Sequence, residues 1–270
     1  MGLVIFIALS LLLLILVLFF KIIFSLSEYN YGLFSNKPFY IHNYIKIKSL
    51  PNNQFYILSS QFEFYASLSD KEKKYFEHRV ASFIEKYEFI GKEGFLITDE
   101  VRVLIASTAV MLTFGMRHYL FDVIQRIVVY PNEYFSTTTE EYFKGEFNPR
   151  MKTVVFSWKD FKNGYALTSD NLNLGIHEFT HVLNFHGLKS EDASALIFTR
   201  MFKQINEYVN KPNNRQKLIE SNFFRVYAYT NSFEFLAVII EHFFESPDLF
   251  EDEFPELFDK VSKMLNFKQY

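Results

Sequence analysis

The sequence contains no cysteine. That absence excludes disulfides, thiolate zinc sites and cysteine nucleophiles together, so any metal must be held by His, Asp and Glu. An excess of charge of either sign is missing too: 28 Lys and Arg face 31 Asp and Glu, for a formal net charge of −3. A chain so balanced has no basic stripe for a phosphate backbone, and nucleic acid is not an expected partner. Internal repeats and low-complexity tracts are absent as well.

What the sequence has is apolar and aromatic mass. Of 270 residues, 49% are hydrophobic, enough to bury the core of one large domain or two small ones. The 34 Phe and 17 Tyr exceed what packing requires and reflect compositional bias as much as function. The densest run is GLVIFIALSLLLLILVLFF, from Gly2 to Phe20, where Ser10 is the one clearly polar side chain before Lys21. Extended through Ile22, Ile23 and Phe24, it makes a helix about 35 Å long, enough to cross a hydrocarbon core of roughly 30 Å. A cleaved signal peptide would carry a basic leader and a small-residue cleavage site, and FSLSEYN offers only a weak one. A buried core helix would carry polar punctuation. Residues 1–26 are therefore expected to form a transmembrane helix. Lys21 and Lys37 follow it while only the terminal amine precedes it, which by the positive-inside rule puts the bulk of a single-pass membrane protein in the cytoplasm.

Residues 27–49 lack sustained helical periodicity and contain Gly32 and Pro38, the pattern of a linker. From there nothing marks a further boundary, so 50–270 reads as one domain. Ser69-Asp70-Lys71-Glu72 is a capping box. The helix it opens carries Tyr75, Phe76, Val80, Phe83 and Ile84 at helical spacing, with Lys71 to Lys74 on the solvated face. Thr98-Asp99-Glu100 starts another helix, whose body VLIASTAVMLTF is expected to be buried on most sides. IVVY at 127–130 and TVVFSW at 153–158 are short β-rich runs able to pair as a small sheet. Helices are expected after residue 170 and over about 190–209, 232–245 and 254–266, with breaks at Pro212-Asn213-Asn214 and Pro247. The fold class is α+β, mainly helical.

One of these helices carries chemistry. NLNLGIHEFTHVLNFHG, residues 171–187, contains His-Glu-x-x-His. Positions i and i+4 share a helix face, so the imidazoles of His177 and His181 can converge on one ion. Glu178, beside the first of them, can then act on a water as general base. With seven His in the chain, a chance match arises on the order of once in a hundred such chains. The bland alternative is a helix with two satisfied histidines. Tetrahedral zinc needs a third protein ligand and an open position. His186 falls one residue short of the metzincin spacing, because Asn184 and Gly187 occupy the positions that pattern reserves for Gly and His. It is read as a helix-end residue with Gly187 as the stop signal. The other source is NSFEFLAVIIEHFFESP, where Glu234 and Glu241 lie seven apart on one face of a strongly apolar helix. Either can bind a metal while the other orients a histidine. Glu245 and His242, nearer the end of that helix, are read as surface residues.

IHEFTHVLN, YAYTNSFEFLAVIIEHFFESPDLF, IVVYPNEYF and VVFSW together resemble the Mlc titration factor A (MtfA) family of zinc peptidases, over roughly residues 50–267. The resemblance implies a zincin-like, gluzincin-type metallopeptidase domain. It implies one Zn2+ per chain, bound by His177, His181 and Glu234, with Glu178 as general base. It further implies that Tyr227, seven residues before Glu234 and otherwise read as a core aromatic, donates a hydrogen bond to the oxyanion. Asn184 stands where the family often has Asp. A membrane anchor is foreign to the soluble members, so their partner, the glucose-related repressor Mlc, is not carried over. The expected activity is hydrolysis of a peptide or protein substrate, with TVVFSW as the edge strand along which it lies. The competing class is a zincin-fold docking protein that binds a regulatory protein partner, its zinc structural or absent.

Overall fold

The computed structural model describes residues 1–136, 140–166, 170–190 and 192–267. Its first element, α1 (Gly2–Ser35), ends on Asn36, whose φ of 55° turns its N–H back onto the Gly32 carbonyl. The most apolar window of α1 has a mean hydropathy of 3.4 and is not buried by the rest of the chain, so by length and composition the helix can cross a membrane. It continues past residue 26, where the membrane segment is expected to end, and residues 27–35 are helical. Over that stretch it docks on the domain: Arg117 forks onto the Glu28 carboxylate, and Arg200 donates to the Gly32 and Leu33 carbonyls at 2.8 and 3.0 Å.

Helices α2 (Asn52–Gln61), α3 (Glu63–Ser67) and α4 (Asp70–Lys86) come next, then strand β1 (Glu88–Gly91) and helix α5 (Asp99–Leu112). The Ser69 capping box forms at the start of α4, and Thr98 caps α5 by accepting from the Val101 N–H. Five strands follow: β2 (Arg126–Tyr130), β3 (Tyr134–Ser136), β4 (Glu141–Phe143), β5 (Gly145–Asn148) and β6 (Thr153–Ser157). The chain closes with α6 (Trp158–Ala166), α7 (Leu174–Gly187), α8 (Ala193–Val209) and α9 (Pro212–Glu220), then a 3-10 turn (Val226–Tyr229), α10 (Ser232–Glu245), α11 (Pro247–Glu253) and α12 (Pro255–Leu265).

IVVY and TVVFSW do pair, as β2 and β6, and they run parallel. The sheet order is β1-β2-β6-β5, with β5 antiparallel to β6 and the β3–β4 hairpin standing outside it. TVVFSW is therefore not the edge. It is bonded on both sides, and among the described residues the free edge next to it is β5, the segment GEFN. Side-chain character explains the exchange: Val154 and Phe156 of β6 are fully buried, as an interior strand requires, whereas β5 is half-buried along its whole length.

The helical layer behind the sheet depends on one buried cation. Arg79 of α4 is fully enclosed and donates to the carbonyls of Thr113, Phe114 and Met116 at 2.8, 3.1 and 2.8 Å, and to the Tyr44 hydroxyl. These carbonyls belong to the turn that follows α5, beside the negative pole of that helix, and the Thr113 carbonyl also accepts from the Met116 N–H at 2.9 Å. Because α5 packs on α7, this cation supports the element that carries the candidate site. Replacing Arg79 by Leu is expected to lower unfolding free energy by about 3 kcal/mol or more, through the buried Phe114 and Met116 carbonyls that lose their guanidinium donor. Urea denaturation of the detergent-solubilised chain measures it, and a loss below about 1 kcal/mol would contradict this assignment.

Candidate metal centre

Helix α7 is two-faced. Ile176, Phe179, Val182 and Leu183 are buried, with the Phe179 ring packed against Phe83, Phe121 and Phe156 at centroid distances of 6.0, 6.2 and 5.4 Å. That packing fixes the rotation of the helix about its axis and turns His177 and His181 to the opposite side. The N-cap Asn173 accepts from the Ile176 N–H at 3.0 Å, so the helix begins one turn before the first histidine. Helix α10 is capped the same way by Asn231, which accepts from the N–H groups of Phe233 and Glu234. Its first turn thus presents Glu234 to α7.

The Nε2 atoms of His177 and His181 lie 3.2 Å apart, their rings nearly perpendicular. Glu234 brings Oε2 to 3.0 Å from His177 Nε2 and Oε1 to 3.6 Å from His181 Nε2. Separations of this size match the edge of a tetrahedron with bonds of about 2.1 Å, roughly 3.4 Å. A hydrogen-bonded cluster accounts for the atoms less well. Oε2 of Glu234 is enclosed and, although close to His177 Nε2, has no aligned hydrogen-bond donor among the described residues. The two imidazole nitrogens are within hydrogen-bond distance of each other, but an enclosed carboxylate oxygen drawn up to them without a donor is what a shared cation would satisfy, so the donor set fits a metal.

Behind His177 stands Glu241, fully buried on α10, whose Oε1 accepts from His177 Nδ1 at 2.7 Å. Accepting there leaves the Nε2 lone pair directed at the centre. Arg225 holds Glu241 in turn, its two terminal nitrogens 2.7 and 2.8 Å from the two carboxylate oxygens, and it also donates to the Asn171 carbonyl. Three carboxylates, Glu178, Glu234 and Glu241, thus surround two imidazoles with one cation among them, an imbalance that suits a divalent ion. Burial opposes a charged His177, but Glu234 and Glu241 outweigh it and raise its pKa to about 9. Burial likewise opposes ionisation of Glu234, yet the two imidazoles hold its carboxyl well below the usual range. At Glu178 burial wins over the nearby histidines and pushes the pKa up.

Most of the residues singled out by the sequence meet in one place. His177, His181 and Glu234 converge, and Glu178 lies beneath the edge strand, where a Cβ on Gly145 would come within 2.8 Å of its Cγ. Tyr227 is half-exposed and not a core aromatic, its ring 6.1 Å from that of His177; burial and the Glu234 carboxylate raise its pKa to about 12. His186 ends α7 as expected, buried edge-on against Phe121. Two expectations are corrected. His242 is buried between the rings of Phe223 and Phe224, where desolvation lowers its pKa to about 4. Glu245 is partly buried, accepts from the Asn173 amide at 3.0 Å and is pushed up to about 7 by burial. The end of α10 is not free because α11 starts at once and folds Phe250 over it. Arg225 was missed, although a carboxylate inside VIIEHF calls for a cation, and Arg225 stands in the segment just before the helix.

The sequence profile of the glucose-regulated metallo-peptidase M90 family matches residues 40–266, a stretch that includes every residue of the centre. The chain belongs to that family. Among its relatives is an uncharacterized protein of Synechocystis sp., 25% identical over 238 residues, which are 80% of this chain and 84% of that protein. The Mlc titration factor A proteins of Yersinia pestis and Yersinia pseudotuberculosis are 21% identical over 209 residues, 72% of this chain and 77% of theirs. Membership in the M90 metallo-peptidases implies a metal, and the His177, His181 and Glu234 cluster of this member is able to hold one.

Without metal, the raised pKa of His177 links stability to pH. The folded protein binds a proton at His177 that the unfolded chain, with its value near 6.5, releases earlier. That contribution is complete below about pH 6.5 and disappears as pH rises through about 9. The chelated protein should therefore melt at a lower temperature at pH 9 than at pH 6.5, and His177→Gln should flatten the difference. Thermal scans across that range check it.

Proposed function

We propose that this M90 protein is a membrane-anchored zinc metallopeptidase of zincin-like fold. In this reading residues 1–26 span the membrane, 27–49 connect, and 50–270 form a peptidase domain on the cytoplasmic side, the side to which Lys21 and Lys37 assign it. The observation that carries the proposal is the approach of two imidazole nitrogens and a carboxylate within 3.0–3.6 Å, with Glu178 next to them under an open strand edge. His177, His181 and Glu234 would hold the zinc. Bound there, it supplies a Lewis acid for the scissile carbonyl and lowers the pKa of water towards 7.

The chain's own groups do the rest. Strand β5 offers its free backbone edge, along which an extended peptide adds by main-chain hydrogen bonds. Gly145 lets that strand pass close over Glu178. Glu178 takes the proton of the attacking water and delivers one to the leaving amine. Tyr227, partly exposed and still protonated at neutral pH with a pKa raised to about 12, donates to the developing oxyanion. Glu241 and Arg225 keep the His177 ring in orientation throughout.

A second reading is supported by the name of the Yersinia relatives, Mlc titration factor A, which describes titration of another protein. Here the same centre would shape a docking surface for a regulatory protein. Zinc content and cleavage of fluorogenic peptides separate the two. The peptidase reading expects one zinc per chain in the wild type and in Glu178→Gln, with Glu178→Gln losing activity by about 10²-fold or more. It expects zinc to be lost in Glu234→Ala. Zinc bound with no cleavage that depends on Glu178 would support the docking protein instead. Gly145→Val should keep the zinc yet lower turnover by about tenfold or more, because the added carbons meet the Glu178 side chain. Unchanged turnover in that variant would remove β5 from the substrate path.

A further inference from the structure

We propose that residues 24–40, with Arg117, form a seat on anionic lipid headgroups that holds the peptidase domain against the bilayer; this rests on the reading of α1 as a membrane span. The segment expected to be a linker is tied down. Phe24 closes the apolar run of α1, and Tyr31 lies seven residues on, along the same helix face. After Asn36 the chain doubles back beside α1, and the Phe39 ring meets both, at 4.8 Å from Tyr31 and 5.7 Å from Phe24. Gly2 to Phe24 already supplies about 35 Å of rise against a hydrocarbon core of roughly 30 Å. A ring beside Phe24 therefore stands at the headgroup boundary, where half-exposed aromatic side chains are favoured. Phe39, Tyr31 and Tyr40 have that character, at 41, 43 and 40% exposure.

One turn beyond Phe24, the Glu28 carboxylate is enclosed in its two-pronged ion pair with Arg117. The same guanidinium lies 4.0 Å from the Tyr40 ring centroid and donates to the Tyr40 carbonyl. Arg200 of α8 holds the carbonyls at the end of α1. Both arginines belong to the domain, so its position is coupled to that of the span. Charge in and beside the seat is mainly basic. Glu28 is the only acid in residues 1–62 and is neutralised by Arg117, while Lys37 within the seat, and Lys21 and Lys46 on either side of it in sequence, form no ion pair among the described residues. A surface of aromatic rings and unpaired lysines, continuous with a membrane span, is complementary to a bilayer rich in anionic lipid. A domain so held works on chains presented close to the membrane.

The lack of native cysteine allows single labels to be placed on the full-length protein. Leu13→Cys, Phe39→Cys, Leu196→Cys and Gln216→Cys would each carry an aromatic fluorophore, in vesicles of phosphatidylcholine and phosphatidylserine with nitroxide on either the headgroup or mid-chain. Leu13 reads the span, Phe39 the seat, Leu196 the domain beside α1, and Gln216 an exposed position on α9, which packs at the end of α8 opposite to the one that meets α1. The expected result is mid-chain quenching at Leu13 and headgroup quenching at Phe39 at least threefold above that at Gln216. Phe39 quenching should fall at least twofold without phosphatidylserine, and Leu196 quenching at least twofold in Arg117→Ala. Quenching at Phe39 no higher than at Gln216, with Leu13 still quenched, overturns the seat and leaves the span standing. Leu13 escaping the mid-chain nitroxide overturns both. Indifference to phosphatidylserine overturns the anionic surface, and an unchanged Leu196 signal in Arg117→Ala overturns the coupling of the domain to the span through Arg117.

Discussion

A single carboxylate withdrawn from water ties the candidate centre together. Glu241 touches His177 on one side and Arg225 on the other, and so joins α7, α10 and the segment that leads into the Tyr227 turn. A buried carboxylate is costly unless each oxygen is met by a donor, and an arrangement that meets them all permits little sliding of the three segments. The His177 ring inherits that constraint. Its Nδ1 is committed, so its Nε2 faces His181 and Glu234. The centre is thus set by hydrogen bonding from behind as much as by the three groups in front.

Packing supplies the remaining constraint. The aromatic contacts of Phe179 lock the apolar face of α7 to the sheet and to α4, and α5, supported at its end by Arg79, closes the layer. On the open side lies β5, short and half-buried, with glycine where it passes Glu178.

How much of this was legible in the sequence follows from the range of the interactions. The i, i+4 histidines, the caps at Ser69 and Thr98 and the apolar run of α1 are local patterns, and each appears where it was read. Glu234 and Glu241 were legible as charges that an apolar helix does not bury without a partner. Strand order was not, since β5 has no β-rich signature of its own and takes the edge only through pairing with β6. The burial of His242 was hidden for the same reason: it comes from α11 folding back, which the local pattern does not encode. Residues 27–35 looked irregular because their partners, Arg117 and Arg200, are far away in sequence.

The central claim is that two imidazoles and a carboxylate from separate helices hold one zinc ion. X-ray absorption at the zinc edge of the purified chain tests it most directly. The account predicts a light-atom shell at about 2.0–2.1 Å with the scattering signature of two imidazoles, which loses its zinc in Glu234→Ala. A chain that takes up no zinc, or one whose zinc shell is unchanged when His177 and Glu234 are replaced, would contradict it.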